Sequence, residues 1–286
     1  MNRFQIITDS CSDLTQEIIR EHQLCVIPMA LEYEGRNFLE GEISMKEIYD
    51  GLRSGSEAKT AAVNPETWIK HMEPFLKEGT DVLVLAFSSG LSSTYQSAVI
   101  AGDEMADRYP DRHIRVVDTL CASMGQGLLV WYAAGKCAAG ESVDAVADWV
   151  ESHKLNLCHW FTVDDLMFLK RGGRISGATA VMGTMLQIKP VLHVDNEGKL
   201  ISMAKARGRK AALQALVDKM AKTALPGEND TVFISHGDCI EDAEFVARLV
   251  RERCGVKDVK INYIGAVIGS HSGPGTVALF FLGDKR

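Results

Sequence analysis

Asp81-Val82-Leu83-Val84-Leu85-Ala86-Phe87-Ser88-Ser89-Gly90-Leu91-Ser92-Ser93 is the stretch on which the reading of the fold turns. Val82–Phe87 is a continuous apolar run, as expected of a strand covered on both faces, and Ser88–Ser93 leads into a helix through about Asp107. The theme recurs on either side. Upstream, Phe4–Thr8 is a short apolar strand, followed by polar Asp9-Ser10-Cys11-Ser12-Asp13 and then by Leu14, Ile18 and Ile19 at helical spacing. Downstream, Ile114–Val117 ends in Asp118, and a long helix follows Ser123. Strands separated by helical crossovers make a mainly parallel sheet, and such sheets bind ligands beyond the carboxyl ends of their strands. The loops after Thr8, Phe87 and Val117 are therefore expected to lie together. Between the first two, Ser44-x-x-Glu47 reads as a capping box, and Asn64-Pro65-Glu66 as a capped helix start with proline in its first turn.

Beyond about Ser152 the pattern changes. Leu157–Thr162, Ile188–Val194 and Leu200–Met203 read as strands, with Asp195-Asn196-Glu197-Gly198 as the turn of a hairpin. Helices follow at about Gly208–Thr223 and Ile240–Arg251, and strands at Thr231–Ser235, Val259–Tyr263 and Thr276–Leu282. The expectation is an α/β protein of two domains. Residues 1–155 form a mainly parallel α/β/α unit, and residues 156–286 an α/β unit with antiparallel strands. The length, 286 residues, sits where single cores stop growing and chains tend to divide.

Thirty-eight acidic against 31 basic residues give a formal charge of −7, which disfavours nonspecific binding to nucleic acid or to an anionic membrane. No apolar run is long enough to span a bilayer, so stable membrane insertion is not expected. The N-terminal residues go directly into a strand rather than a secretory signal. The seven cysteines are scattered and never form Cys-x-x-Cys, which favours reduced thiols in a cytoplasmic protein over a disulfide framework or a zinc site.

Familiar catalytic motifs fail one by one. Gly90-Leu91-Ser92-Ser93-Thr94 begins like a nucleophile elbow but has Thr94 where the second glycine belongs. Gly125-Gln126-Gly127 lacks the third glycine of a dinucleotide fingerprint, and no phosphate-binding Gly-Lys loop or His-x-x-x-His metal pair occurs. What remains is a set of hydroxyl-rich loops. Ser88–Thr94 brings backbone amides and hydroxyls to a helix start, where an anion is favoured, although Ser89 or Ser92 would also serve as an ordinary cap. Thr60, Thr8-Asp9-Ser10 and His271, in a tight His271–Gly275 loop between two apolar strands, each admit an anion-binding or a purely structural role.

In Leu169-Lys170-Arg171-Gly172-Gly173-Arg174-Ile175-Ser176, Lys170 and Arg171 complement a helix end stopped by Gly172, and Arg174 beyond it is a candidate anion or partner contact. Gly177–Leu186, with Val181, Met182 and Met185, reads either as the wall of an elongated apolar pocket or as a buried helix. Lys205, Arg207, Arg209 and Lys210 read as a solvated face or a docking surface.

In order and spacing, Thr8–Leu14, Ser88–Ser97, Leu169–Ser176, Lys189-Pro190 and Gly269–Gly275 together resemble the DegV family over nearly the whole chain. The resemblance implies a non-catalytic lipid-binding protein of two domains, with a long-chain fatty acid held between them as its ligand and no other cofactor. It also implies a partner: where a fatty-acid kinase exists, such proteins present the bound acid for conversion to acyl-phosphate. By position, Thr60, Ser89, Ser92, Ser93 and His271 fall in the segments associated with the carboxylate, and Arg174 in the segment associated with kinase docking or phosphoryl contact. Two positions depart from the family pattern: Ala61 stands where a serine is usual, and Ser93 where a glycine is usual. The competing reading is a serine hydrolase or phosphoryl-transfer enzyme using Ser92 and His271.

Overall fold

The Val82 run forms an inner strand. In the computed structural model, which describes residues 4–175 and 187–286, β1 (Phe4–Asp9), β2 (Cys25–Ile27), β6 (Asp81–Ala86) and β7 (Ile114–Asp118) make an all-parallel sheet. The strand order is β2-β1-β6-β7, so the direction of winding reverses between β1 and β6. Both faces are covered, which is why β6 has no polar alternation. Val82, Val84 and Ala86 pack with α3 (Pro65–Lys77) and α4 (Thr94–Arg108); Leu83 and Leu85 pack with α5 (Met124–Ala138) and α6 (Val143–His153). A short α1 (Gln16–Glu21), capped by Thr15, contributes Ile18 to the α5 side.

Six later strands form the second large sheet. β8 (Leu157–Thr162), β9 (Ile188–Val194), β10 (Leu200–Arg207), β11 (Thr231–His236), β12 (Asp258–Tyr263) and β13 (Val277–Leu282) lie in the order β10-β9-β8-β13-β11-β12. β11 and β12 pair in parallel and the other neighbours are antiparallel. Along β13 the two-residue period divides the core: Val277, Leu279 and Phe281 pack with α8 (Arg209–Thr223) and α9 (Ile240–Cys254), while Ala278, Phe280 and Leu282 pack with α5. β10 runs on past the expected Met203 to Arg207, through a bulge between Ser202 and Ala204, so Lys205 and Arg207 lie on a strand.

Helix α5 is the layer shared by both sheets. Gly125 and Gly127, which suggest a truncated dinucleotide motif in the sequence, let it fit. A Cβ on Gly125 would sit 2.3 Å from His159 Nε2, and one on Gly127 would sit 2.5 Å from the Ser12 carbonyl oxygen. Between them, buried Gln126 donates from Nε2 to Thr8 Oγ1 at 3.0 Å.

A third sheet escapes the sequence reading. β3 (Ala30–Tyr33), β4 (Arg36–Leu39) and β5 (Ala58–Ala61) pair antiparallel in the order β4-β3-β5. Strands of four residues with exposed alternate positions are too short to show a period. Both helix starts carry a side-chain cap: Ser44 Oγ accepts the Glu47 amide at the start of α2 (Met45–Arg53), the hydroxyl half of the expected capping box, and Asn64 Oδ1 accepts that of Thr67 at α3. Gly172 caps α7 (Met167–Arg171).

The expected His271–Gly275 loop needs correction. His271 and Ser272 end a seven-residue helix, α10 (Ala266–Ser272), and the chain turns only afterwards, at Gly273 and Gly275 with φ of 82° and 77°. Two turns containing an internal glycine carry little helical periodicity, so neighbours rather than propensity form this helix. Val181, Met182 and Met185 lie outside the described residues.

Candidate functional site

The loops after β1, β6 and β7 do converge. Asp9 Oδ2 accepts the Phe87 amide at 2.8 Å, and Asp118 Oδ1 accepts the Ser89 amide at 3.2 Å. Burial pushes the Asp9 carboxyl up to about 6, against the lowering effect of the Phe87 amide. These bonds fix the Ser88–Ser93 loop beyond the carboxyl end of β6, beside the point where the sheet reverses its winding.

Each residue of that loop has a separate task. Ser88 Oγ donates to the Gly198 carbonyl at 2.9 Å and so ties the loop to the β9–β10 turn. Gly90 is packed so closely on that turn that a Cβ would meet the Glu197 carbonyl oxygen at 2.5 Å. Leu91 turns its side chain inward while its carbonyl accepts Arg174 Nε at 3.3 Å. Ser92 Oγ lies 2.9 Å from Thr94 Oγ1 and accepts the Thr94 amide, a local brace at the start of α4.

Ser92 and Ser93 open onto a cavity of about 290 Å³ between the two large sheets. Its body is apolar: Phe87 and Leu91 come from the first sheet's loop, Phe161, Val194, Leu200 and Phe280 from the second sheet, and Val267 and Ile268 from α10. The polar lining includes Thr60, Ser92, Ser93, Arg174 and His271. Ser89 is not among the lining residues. Its amide is held by Asp118. Ala61 lines the cavity without a hydroxyl to offer.

His271 meets Thr60 directly, with Nε2 and Oγ1 2.8 Å apart. Burial, and then the nearby Arg174 cation, push the imidazole down to about 4, so it is neutral at pH 7 and has one N–H to donate. Gly172 explains how the ring fits, since a Cβ there would stand 2.4 Å from His271 Nδ1. Arg174 is folded back by NH1 donating to the Gly172 carbonyl at 2.5 Å. Thr60, Arg174 and His271 also line a neighbouring polar recess with Lys59, Arg171 and Glu57, the last paired with Arg171, so the hydroxyl and imidazole stand between an apolar chamber and a polar one in which cations outnumber carboxylates.

Several lining residues carry no local signal in the sequence. Phe161 and Phe280 read only as strand residues, and which face of each strand meets the cavity depends on pairing across β8 and β13. Met29 and Ser123 enter from loops; Ser123 Oγ donates to Asp13 Oδ2 at 2.5 Å. His159 has its place set by two bonds, Nδ1 to the Leu157 carbonyl and Nε2 from the Ala122 amide, and burial keeps it neutral. Among the described residues, no group of three His, Cys, Asp or Glu side chains could hold a metal ion, and no helix is long and apolar enough to cross a membrane.

Comparison with known proteins places this geometry. A family model described as "Uncharacterised protein, DegV family" matches residues 3–284. A DegV domain-containing protein of Clostridium perfringens is 44% identical over 100% of this chain and 99% of its own length. Among solved structures, a DegV family protein from Thermus thermophilus, described by its fatty-acid binding, is 33% identical with a TM-score of 0.87, covering 98% of this chain and 99% of its own. A DegV lipid binding protein from Thermotoga maritima is 29% identical with a TM-score of 0.86, covering 99% of each chain. With the match running from one end of the sequence to the other and through both sheets, the chain belongs to the DegV family.

Proposed function

We propose that this protein binds one long-chain fatty acid between residues 1–155 and 156–286, acting as a carrier rather than as an enzyme. The carboxylate lies at Thr60, Ser92, Ser93 and His271, and the tail lies against Phe161, Leu200 and Phe280. The observation that carries this reading is an apolar cavity whose polar lining includes two serines and a Thr60–His271 pair. Relatives of the same fold from Thermus thermophilus and Bacillus subtilis are described as binding fatty acids, at 33% and 26% identity. Burying about fifteen methylenes at ~0.8 kcal/mol each supplies on the order of 10 kcal/mol before the costs of binding, with the head-group bonds fixing direction. The Val181, Met182 and Met185 segment is proposed as a further part of the tail wall.

The cation-rich recess beside Thr60 and His271 supports presentation of the carboxylate to a fatty-acid kinase in the cytoplasm, with Arg174 as the docking or phosphoryl contact. The hydrolase reading has less support. It needs Ser92 against an imidazole, whereas His271 Nε2 pairs with Thr60, and Ser92 Oγ pairs with Thr94.

Mass spectrometry of lipid extracted from freshly purified protein, with native mass spectrometry of the complex, tests the ligand. One fatty acid per chain is expected; none, with none taken up on incubation, overturns it. Esterase or phosphatase activity that disappears in Ser92→Ala would overturn the carrier reading. The kinase step is tested separately, by adding kinase, ATP and hydroxylamine to the loaded protein and measuring acyl hydroxamate.

A further inference from the structure

The Thr8–Leu14 motif contributes no side chain to the cavity lining, yet it reaches the helix that carries His271. Asp13 Oδ1 accepts the Gly265 amide at 3.0 Å, and the Asp13 carbonyl accepts Asn262 Nδ2 at 2.8 Å, just ahead of α10. Glu40 Oε1 accepts the Val267 amide at 2.9 Å, within the first turn. Each carboxylate is itself fixed: Asp13 Oδ2 by Ser123 Oγ, and Glu40 Oε2 by Ser10 Oγ at 2.5 Å. Glu40 follows β4 and Thr60 lies on β5, so the small sheet touches α10 at both ends, at its first turn through Glu40 and at its last through His271. Seven residues are too few to hold a helix by themselves.

On the reading that the cavity takes a fatty acid, we propose that Asp13 and Glu40 are positioning residues for the head-group site. They anchor the start of α10 and thereby set the His271 imidazole against Thr60. Neither touches the ligand. Their effect falls on recognition of the carboxylate and spares the fit of the tail.

The test compares hexadecanoic acid with hexadecan-1-ol, and follows the His271 Cε1–Hε1 NMR signal in lipid-free protein, assigned by its loss in His271→Gln. In Asp13→Ala and Glu40→Ala, affinity for the acid is expected to fall about tenfold or more relative to the alcohol, and the His271 signal to move. Asp13→Asn and Glu40→Gln keep an acceptor for the helix amides and are expected to restore both. Should the alanine variants not fold, Ser10→Ala, which removes a support of Glu40 together with the acceptor of the Met29 amide, is expected to shift the same signal by less. An unmoved His271 signal with an unchanged acid-to-alcohol ratio overturns the proposal. Wild-type protein that binds neither probe overturns the ligand reading alone, because the lipid-free His271 signal still decides the positioning.

Discussion

His271 shows how much one side chain can owe to its surroundings. Its usual value of 6.5 is pushed down to about 4 by burial and by Arg174, so the folded protein prefers the neutral ring while the unfolded chain takes up a proton below 6.5. The sign follows: this preference is fully present above 6.5 and is lost as pH falls toward 4. His271→Gln removes that titration, so urea unfolding at pH 7 and pH 5 should show the variant losing ~2 kcal/mol less than wild type over the interval. If His271 holds the carboxylate as proposed, His271→Ala removes a donor to a charged head group and should weaken fatty acid by roughly 10–100-fold in calorimetry at pH 7. The sequence offers His271 as a candidate, but its partner Thr60 stands 211 positions away. A related limit holds for Ser89: inside a hydroxyl-rich loop, composition does not say which residues line the cavity, and Ser92 and Ser93 do while Asp118 holds the Ser89 amide.

At the scale of elements, helix α5 offers two glycines with opposite expectations. Gly125 lies where a Cβ would come within 2.3 Å of His159 and 2.7 Å of Phe280, both packed rings, whereas Gly135 has nothing within 4 Å. Gly125→Ala should therefore cost at least ~1–3 kcal/mol through overpacking. Gly135→Ala should stabilise by up to about 1 kcal/mol through helix propensity and a less mobile unfolded chain. Denaturant midpoints of the two variants decide it, and equal shifts would remove the account of α5 as a tightly wedged layer. Helices with strong caps, such as those begun by Ser44 and Asn64, are legible because their signal lies within four residues. α10 and the β4-β3-β5 sheet are not, since their bonds run to distant parts of the chain.

Over the whole molecule, the cavity lies where the two halves of the chain also meet through α5, the Ser88–Gly198 contact, the Arg53–Asp238 pair and the anchors of α10. A fatty acid filling it should stabilise both sheets at once. At free ligand of 100 times Kd the gain is about 2.7 kcal/mol, which should raise the melting temperature by roughly 4–5 °C over delipidated protein in scanning calorimetry. A single transition that moves as a unit is expected; a shift confined to one of two transitions would mean that the ligand holds only one sheet.

The α/β class and the order of most strands and helices were legible in the sequence, because they follow from local matters: apolar runs with periods of 2 or 3.6, caps, and turn residues such as those of Asp195–Gly198. So was the convergence of the loops after β1, β6 and β7, which parallel winding makes unavoidable. The site itself is a product of packing. Thr60 meets His271 across a small sheet and a seven-residue helix, Phe161 and Phe280 turn inward by virtue of their partners across the sheet, and α10 exists where Asp13 and Glu40 hold it. Contacts between residues a hundred or more positions apart leave no period or cap in the chain, and only the folded structure brings them within hydrogen-bonding distance.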